Sequence, residues 1–132
     1  MGYRVRAVAV GAAALLLTAC GSSEPDSPWR TAAEDFVTAI AAQDADAGCD
    51  LLSDAAQTEL ADTAGSCEDA ILSEGLDDPG RIEDVQRFGT AAQVRFEDDV
   101  YFLGQFSDGW RITAAGCDET AAEPYDCDVS GG

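Results

Sequence analysis

Apolar positions along this chain fall into three textures: an unbroken run, a helical stripe and a series of short alternating segments. The run spans residues 7–17, preceded by Arg4 and Arg6 and followed by Thr18, Ala19, Cys20 and Gly21. A basic start, an apolar stretch of about ten residues and small residues after it make a secretory signal. A membrane-spanning helix needs about 20 apolar residues, and Gly21-Ser22-Ser23-Glu24-Pro25 ends this run too early. Residues 1–19 are therefore read as a signal peptide, 20–27 as a tether and 28–132 as one domain.

The stripe begins at Ser27-Pro28, with Ser27 as N-cap and Pro28 at the first helical position. Trp29, Ala32, Ala33, Phe36, Val37, Ile40 and Ala41 then recur at the spacing of one helix face. That spacing predicts a long amphipathic helix ending near Gln43. Shorter helical pieces follow at 49–52, 53–61 and 66–73, the last opened by a capping-box-like Ser66-Cys67-Glu68-Asp69.

Beyond Asp78-Pro79-Gly80 the period changes to two. Residues 82–88 read as a strand of poor alternation. Residues 91–97 are a clean one, with Ala92, Val94 and Phe96 inward and Gln93, Arg95 and Glu97 outward. Residues 100–106 are apolar on both faces, Val100, Phe102 and Phe106 opposing Tyr101 and Leu103, which places them centrally. The hairpin signal Asp108-Gly109 leads into 110–114, with Trp110 and Ile112 on one face. The fold class expected is α+β: a long N-terminal amphipathic helix plus short helices packed on a curved four-stranded antiparallel meander.

Charge narrows the functions available. The chain has 26 acids, 7 basic residues that are all arginine, and no Lys, His or Asn, for a net charge of −19. Such a surface repels phosphate backbones, so nucleic acid is excluded as a partner. It also repels an anionic membrane, so attachment requires a lipid instead of a basic patch. Without His or Lys there is no usual base for a serine nucleophile, no Schiff base and no imidazole metal ligand. A desolvated carboxylate acting as general base is the chemistry that remains. Asp84 is the candidate for it in the first strand, while Asp98 and Asp99 are turn residues. A calcium loop begun at Asp44 matches Asp46 but fails at Gly48, Cys49 and Ala55. No metal and no cofactor is expected.

Five cysteines leave one thiol over in an exported chain. Leu17-Thr18-Ala19-Cys20 resembles the lipobox of bacterial lipoproteins. The resemblance implies a diacylglyceryl group on Cys20, cleavage before it, and residence on the outer face of the cytoplasmic membrane. Cys49, Cys67, Cys117 and Cys127 remain, an even set that reads as disulfides outside the cytoplasm. Of the three possible pairings, sequence proximity favours Cys49–Cys67 with Cys117–Cys127. A metal site on these thiols fails for want of a Cys-x-x-Cys spacing and of histidine.

The stretch from Ala47-Gly48-Cys49 to Ser53, Ser66-Cys67-Glu68, Gly109-Trp110-Arg111-Ile112-Thr113-Ala114-Ala115-Gly116-Cys117 and Pro124-Tyr125-Asp126-Cys127 together resemble small actinobacterial lipoproteins. Their domain is similar to the NTF2-like, cystatin-like cone. The resemblance implies helices filling the concave side of a bent sheet, in a fold that serves enzymes and non-enzymes alike. A cone closed by a helix can leave an apolar pocket. Phe36, Ile40, Val94, Phe96, Phe102 and Trp110 are its candidate lining, and the same residues would also make a filled core. Trp29, Tyr101, Leu103 and the Pro124-Tyr125 corner are candidate contacts for an envelope protein. The expectation is a membrane-anchored extracytoplasmic lipoprotein, non-enzymatic, that binds an envelope protein or an apolar small ligand. The alternative is a small carboxylate-dependent enzyme, isomerase- or hydrolase-like, using the cone.

Overall fold

The computed structural model describes residues 27–118 and 125–131. The signal peptide, Cys20, the tether up to Asp26, and Pro124 lie outside the described residues. Within them, α1 (Pro28–Ala41), α2 (Ala45–Asp50), α3 (Asp54–Ala64) and α4 (Cys67–Ile71) precede β1 (Ile82–Phe88), β2 (Ala91–Phe96), β3 (Val100–Phe106), β4 (Gly109–Asp118) and β5 (Asp126–Ser130).

Pro28 opens α1, but the helix has 14 residues, an ordinary length, so the long N-terminal helix expected from the stripe is corrected. Gln43 turns out of it at a φ of 55°, and Asp44 starts α2 by accepting a hydrogen bond from the Ala47 N–H at 3.1 Å. Ser27 makes no side-chain cap. Ser53 and Ser66 do cap, accepting from the N–H of Ala56 at 3.3 Å and of Asp69 at 3.1 Å. The Cys49–Cys67 disulfide joins α2 to α4.

The strands form one antiparallel sheet in the order β1-β2-β3-β4-β5, one strand more than the four expected. Alternation does not reveal β5, because Asp126-Cys127-Asp128-Val129-Ser130 offers little apolar surface. The Cys117–Cys127 disulfide and the pairing of Ala115 with Val129 hold it against β4. Relative to β3, β4 carries extra residues: Val100 faces Cys117, Phe102 faces Ala114 and Leu103 faces Ile112. Such bulges bend a strand and increase its twist. Gly116 occupies one of them at a φ of 63°, where any side chain would be strained and a Cβ, 2.6 Å from Asp128 Oδ2 and 2.9 Å from Leu76 Cδ2, would push both aside. Beside the other, Ile112 bonds to the helical layer, accepting from the Ser53 N–H and donating to the Leu51 carbonyl, both at 2.8 Å.

Helix α1 packs on β2, β3 and β4, and α3 packs on β4 and β5. Between these layers Phe36, Leu52, Val94, Tyr101, Leu103 and Ile112 are almost wholly buried.

Candidate functional site

The expected pocket is filled. Phe36 and Val94 are fully buried and Phe96 nearly so. The Tyr101 ring takes the space between them, its centroid 5.8 Å from that of Phe36 and 4.8 Å from that of Phe96. Sequence reasoning placed Tyr101 and Leu103 as partner contacts, and the register with β2 corrects this: Val94 faces Tyr101, Ala92 faces Leu103 and Gln93 faces Phe102. Tyr101 and Leu103 therefore point toward the helices and Phe102 points away. A strand apolar on both sides cannot reveal its own inner face by alternation; its neighbour's pattern decides. Phe102 accordingly leaves the candidate lining. Its ring meets Tyr125 at 4.8 Å, and the Gln93 side-chain amide donates to the Tyr125 hydroxyl at 3.1 Å. Trp29, another expected contact, is buried against Trp110, with ring centroids 5.3 Å apart.

Two clefts remain alongside α1, and Val37 lines both. One, of about 170 Å³, lies between Ile40, Leu76, Pro79 and Tyr101. The other is wider, about 460 Å³, and runs past Arg30, Ile82 and Phe96. The six expected lining residues are thus dispersed: Ile40 and Phe96 edge separate clefts, Phe36 and Val94 fill the centre, Trp110 stacks at one end and Phe102 faces outward. Asp84 is exposed, its carboxylate accepting from the Gln86 side-chain amide at 2.8 Å. Val85 takes the inner position opposite Val94 instead.

Carboxylates collect at one end of the sheet, in the turn after β2 (Asp98, Asp99), at the end of β4 (Asp118) and along β5 (Asp126, Asp128). Asp118 directly faces Asp126. Burial, reinforced by Asp118, Asp128, Asp98 and Asp77, pushes the Asp99 carboxyl above the usual aspartate range. Burial and then Asp118, Asp126 and Asp77 do the same to Asp128. Burial and the nearby Asp99 push the Tyr101 phenol well above its ordinary value. Glu97 goes the other way, held down by the Arg81 guanidinium that donates to it at 2.9 Å. Among the described residues no cluster of acids and cysteines could hold a metal ion.

The opposite end is aromatic. The Arg87 guanidinium lies 5.1 Å from the Trp29 ring centroid and 5.5 Å from that of Trp110. At the same end, on the face of the sheet turned away from the helices, Phe88 and Phe106 are 60% and 47% exposed. The Gln105 N–H donates to the Thr90 carbonyl at 2.7 Å and ties the two hairpin ends together. Sequence reasoning missed this end. Its one signal was a phenylalanine immediately before each turn, at Phe88-Gly89 and Phe106-Ser107. No protein-family model, curated protein or solved structure matches the chain.

Proposed function

We propose that the protein is a membrane-anchored extracytoplasmic lipoprotein whose domain is a non-enzymatic binding or scaffold module in the cell envelope. Cysteine pairing carries the reading. Two disulfides, Cys49–Cys67 and Cys117–Cys127, account for four of the chain's five cysteines. The odd one is Cys20, at the end of Leu17-Thr18-Ala19-Cys20, where an acyl group would consume it. Disulfides themselves belong to oxidising compartments, in accord with export. Helices on one face of a bent sheet support the NTF2-like, cystatin-like reading of the domain. The Tyr101 ring at the centre favours a scaffold, and the clefts beside α1 are the space an apolar ligand would use.

Cell fractionation of the wild-type chain and of Cys20→Ala tests this. The wild type is expected in the membrane fraction after a high-salt wash and with the added mass of a diacylglyceryl group, because two acyl chains anchor stably where one does not. The variant is expected in the soluble extracytoplasmic fraction. Membrane retention of the variant equal to that of the wild type would overturn the reading.

A further inference from the structure

We infer that the aromatic end of the domain, where Phe88 and Phe106 are exposed, rests on the lipid bilayer beside the anchor, with the acidic end held away from it. The inference rests on the lipoprotein reading above and adds an orientation to it.

Chain direction sorts the molecule into these ends. β1 finishes at Phe88 and β2 starts at Ala91, which faces it; β3 finishes at Phe106, which faces Gly109 at the start of β4. Helix α1 begins at the same end, where Trp29 meets Trp110, and finishes at the other, where Ile40 and Ala41 adjoin Asp77, Asp78 and Tyr101. Ser27, from which the chain leads back to Cys20, therefore lies at the aromatic end. The residues between Cys20 and Ser27 span at most about 25 Å even when fully extended. An acyl chain on Cys20 would keep this end close to the membrane whatever the domain's orientation, and the surface chemistry then chooses the orientation.

Among the described residues the exposed large apolar side chains are Leu72, Phe88 and Phe106, so two of the three stand at the anchored end. Phenylalanine rings on a membrane-facing surface bury into the boundary between headgroups and acyl chains. Arg87 brings a positive charge to that boundary, Asp108 nearby is paired with Arg111 at 2.6 Å, and Asp54 is a further carboxylate beside Phe106, against the five gathered at the other end. The acidic residues Asp98, Asp99, Asp118, Asp126 and Asp128 sit at the far ends of the strands. A strand of six or seven residues is roughly 20 Å long, about twice the distance over which physiological salt screens a charge. Standing on its aromatic end, the domain keeps those carboxylates beyond the reach of an anionic surface; inverted, it would press them into it. Tethering supplies a high local concentration, so a small contact suffices.

Hydroxyl-radical footprinting read by mass spectrometry tests this. The lipidated chain is placed on vesicles of phosphatidylethanolamine and phosphatidylglycerol and compared with the Cys20→Ala chain mixed with the same vesicles, after intact mass has established the acyl group. Oxidation of Phe88 and Phe106 is expected to fall about fivefold or more on anchoring, as rings enter the interface, while Leu76 and Ile82 at the far end keep their rates. If the lipidated chain shows Phe88 and Phe106 oxidised as fast as in Cys20→Ala, or Leu76 and Ile82 equally protected, the orientation is wrong and the lipoprotein reading stands. Absence of an acyl group on Cys20 removes both.

Discussion

The two ends of the sheet are held by different forces. At the aromatic end Trp29, Trp110 and Arg87 stack at 5.1–5.5 Å, and a backbone hydrogen bond joins the hairpin ends. At the acidic end Asp118 faces Asp126 across β4 and β5, and like charges placed directly opposite destabilise a sheet. One residue further in, the same two strands are joined by the Cys117–Cys127 disulfide. The covalent bond thus sits next to a like-charge pair, whereas the aromatic end closes on a stack of two tryptophans and an arginine. A highly acidic chain can keep a repulsive cluster when a crosslink offsets it locally.

The largest expected effects come from cutting a disulfide. Cys117→Ser with Cys127→Ser should cost about 3 kcal/mol, as expected for a bridge closing a loop of this order, and should free β5 with Val129 from the core. Cys49→Ser with Cys67→Ser should cost about as much or slightly more, since the loop is longer. Salt separates the two. In urea unfolding, added NaCl should restore part of the loss for the β4–β5 pair, by screening the aspartates, and none for the helical pair. Equal salt responses would break the comparison between the ends. Next comes Trp110→Ala, which removes a half-buried ring from the stack and should cost about 2 kcal/mol, with little dependence on salt or pH. A loss that shrinks markedly in high salt would mean that charge, and not packing, holds the aromatic end.

Legibility followed the same division. Where one face was apolar and the other polar, as in β2, sequence alternation identified Ala92, Val94 and Phe96 as inward, and all three are buried. Where both faces are apolar, as in β3, alternation carries no orientation, and Tyr101, expected at a partner-facing position, lies in the core instead. Where neither face was apolar enough, as in β5, no strand was visible, because its place depends on a disulfide and on Val129. Asp84 was ambiguous for a related reason: a one-residue slip exchanges it with Val85, and the pairing of Val85 with Val94 decides the matter. The aromatic end went unread because its parts lie on three separated segments, brought together only by the register of two hairpins and the start of α1.

The acidic end also predicts a pH dependence with a definite sign. The Asp99 and Asp128 carboxyls are raised by burial and by neighbouring acids, so the folded state holds protons that the unfolded chain releases. Their contribution is fully present below the ordinary aspartate value of 3.8 and is lost as the pH rises through the higher folded values. Stability should therefore increase on mild acidification from neutral pH. Glu97, held low by Arg81, opposes this once the pH falls below its ordinary value of 4.5. Asp118→Asn removes a neighbour common to Asp99, Asp128 and Asp126. It should stabilise the neutral-pH fold by about 0.5 kcal/mol after allowance for solvent screening and flatten the acid-side rise. Thermal melts between neutral and mildly acidic pH measure both, and an unchanged slope in the variant would show that the repulsion is not felt.

The smallest effect compares two arginines, one at each end. Arg81 meets Glu97 as an exposed ion pair at 2.9 Å, where solvent and salt screen the attraction and two long side chains must be ordered to make it. The Arg87 guanidinium carbon lies 5.1 Å from the Trp29 ring centroid and 5.5 Å from that of Trp110, an attraction worth about 0.5–1 kcal/mol at an exposed site. Lysine keeps the charge but loses the planar stacking. Arg87→Lys should therefore retain only part of the wild-type stability and Arg87→Ala less still, with both deficits nearly constant as salt is raised. Arg81→Lys should be close to neutral, and whatever Arg81→Ala loses should fade in high salt. Denaturation of the four variants at low and high NaCl reads the contrast directly. A deficit for Arg87→Ala that vanishes with salt would place Arg87 in an ion pair instead of on the rings, and would erase the distinction between the ends.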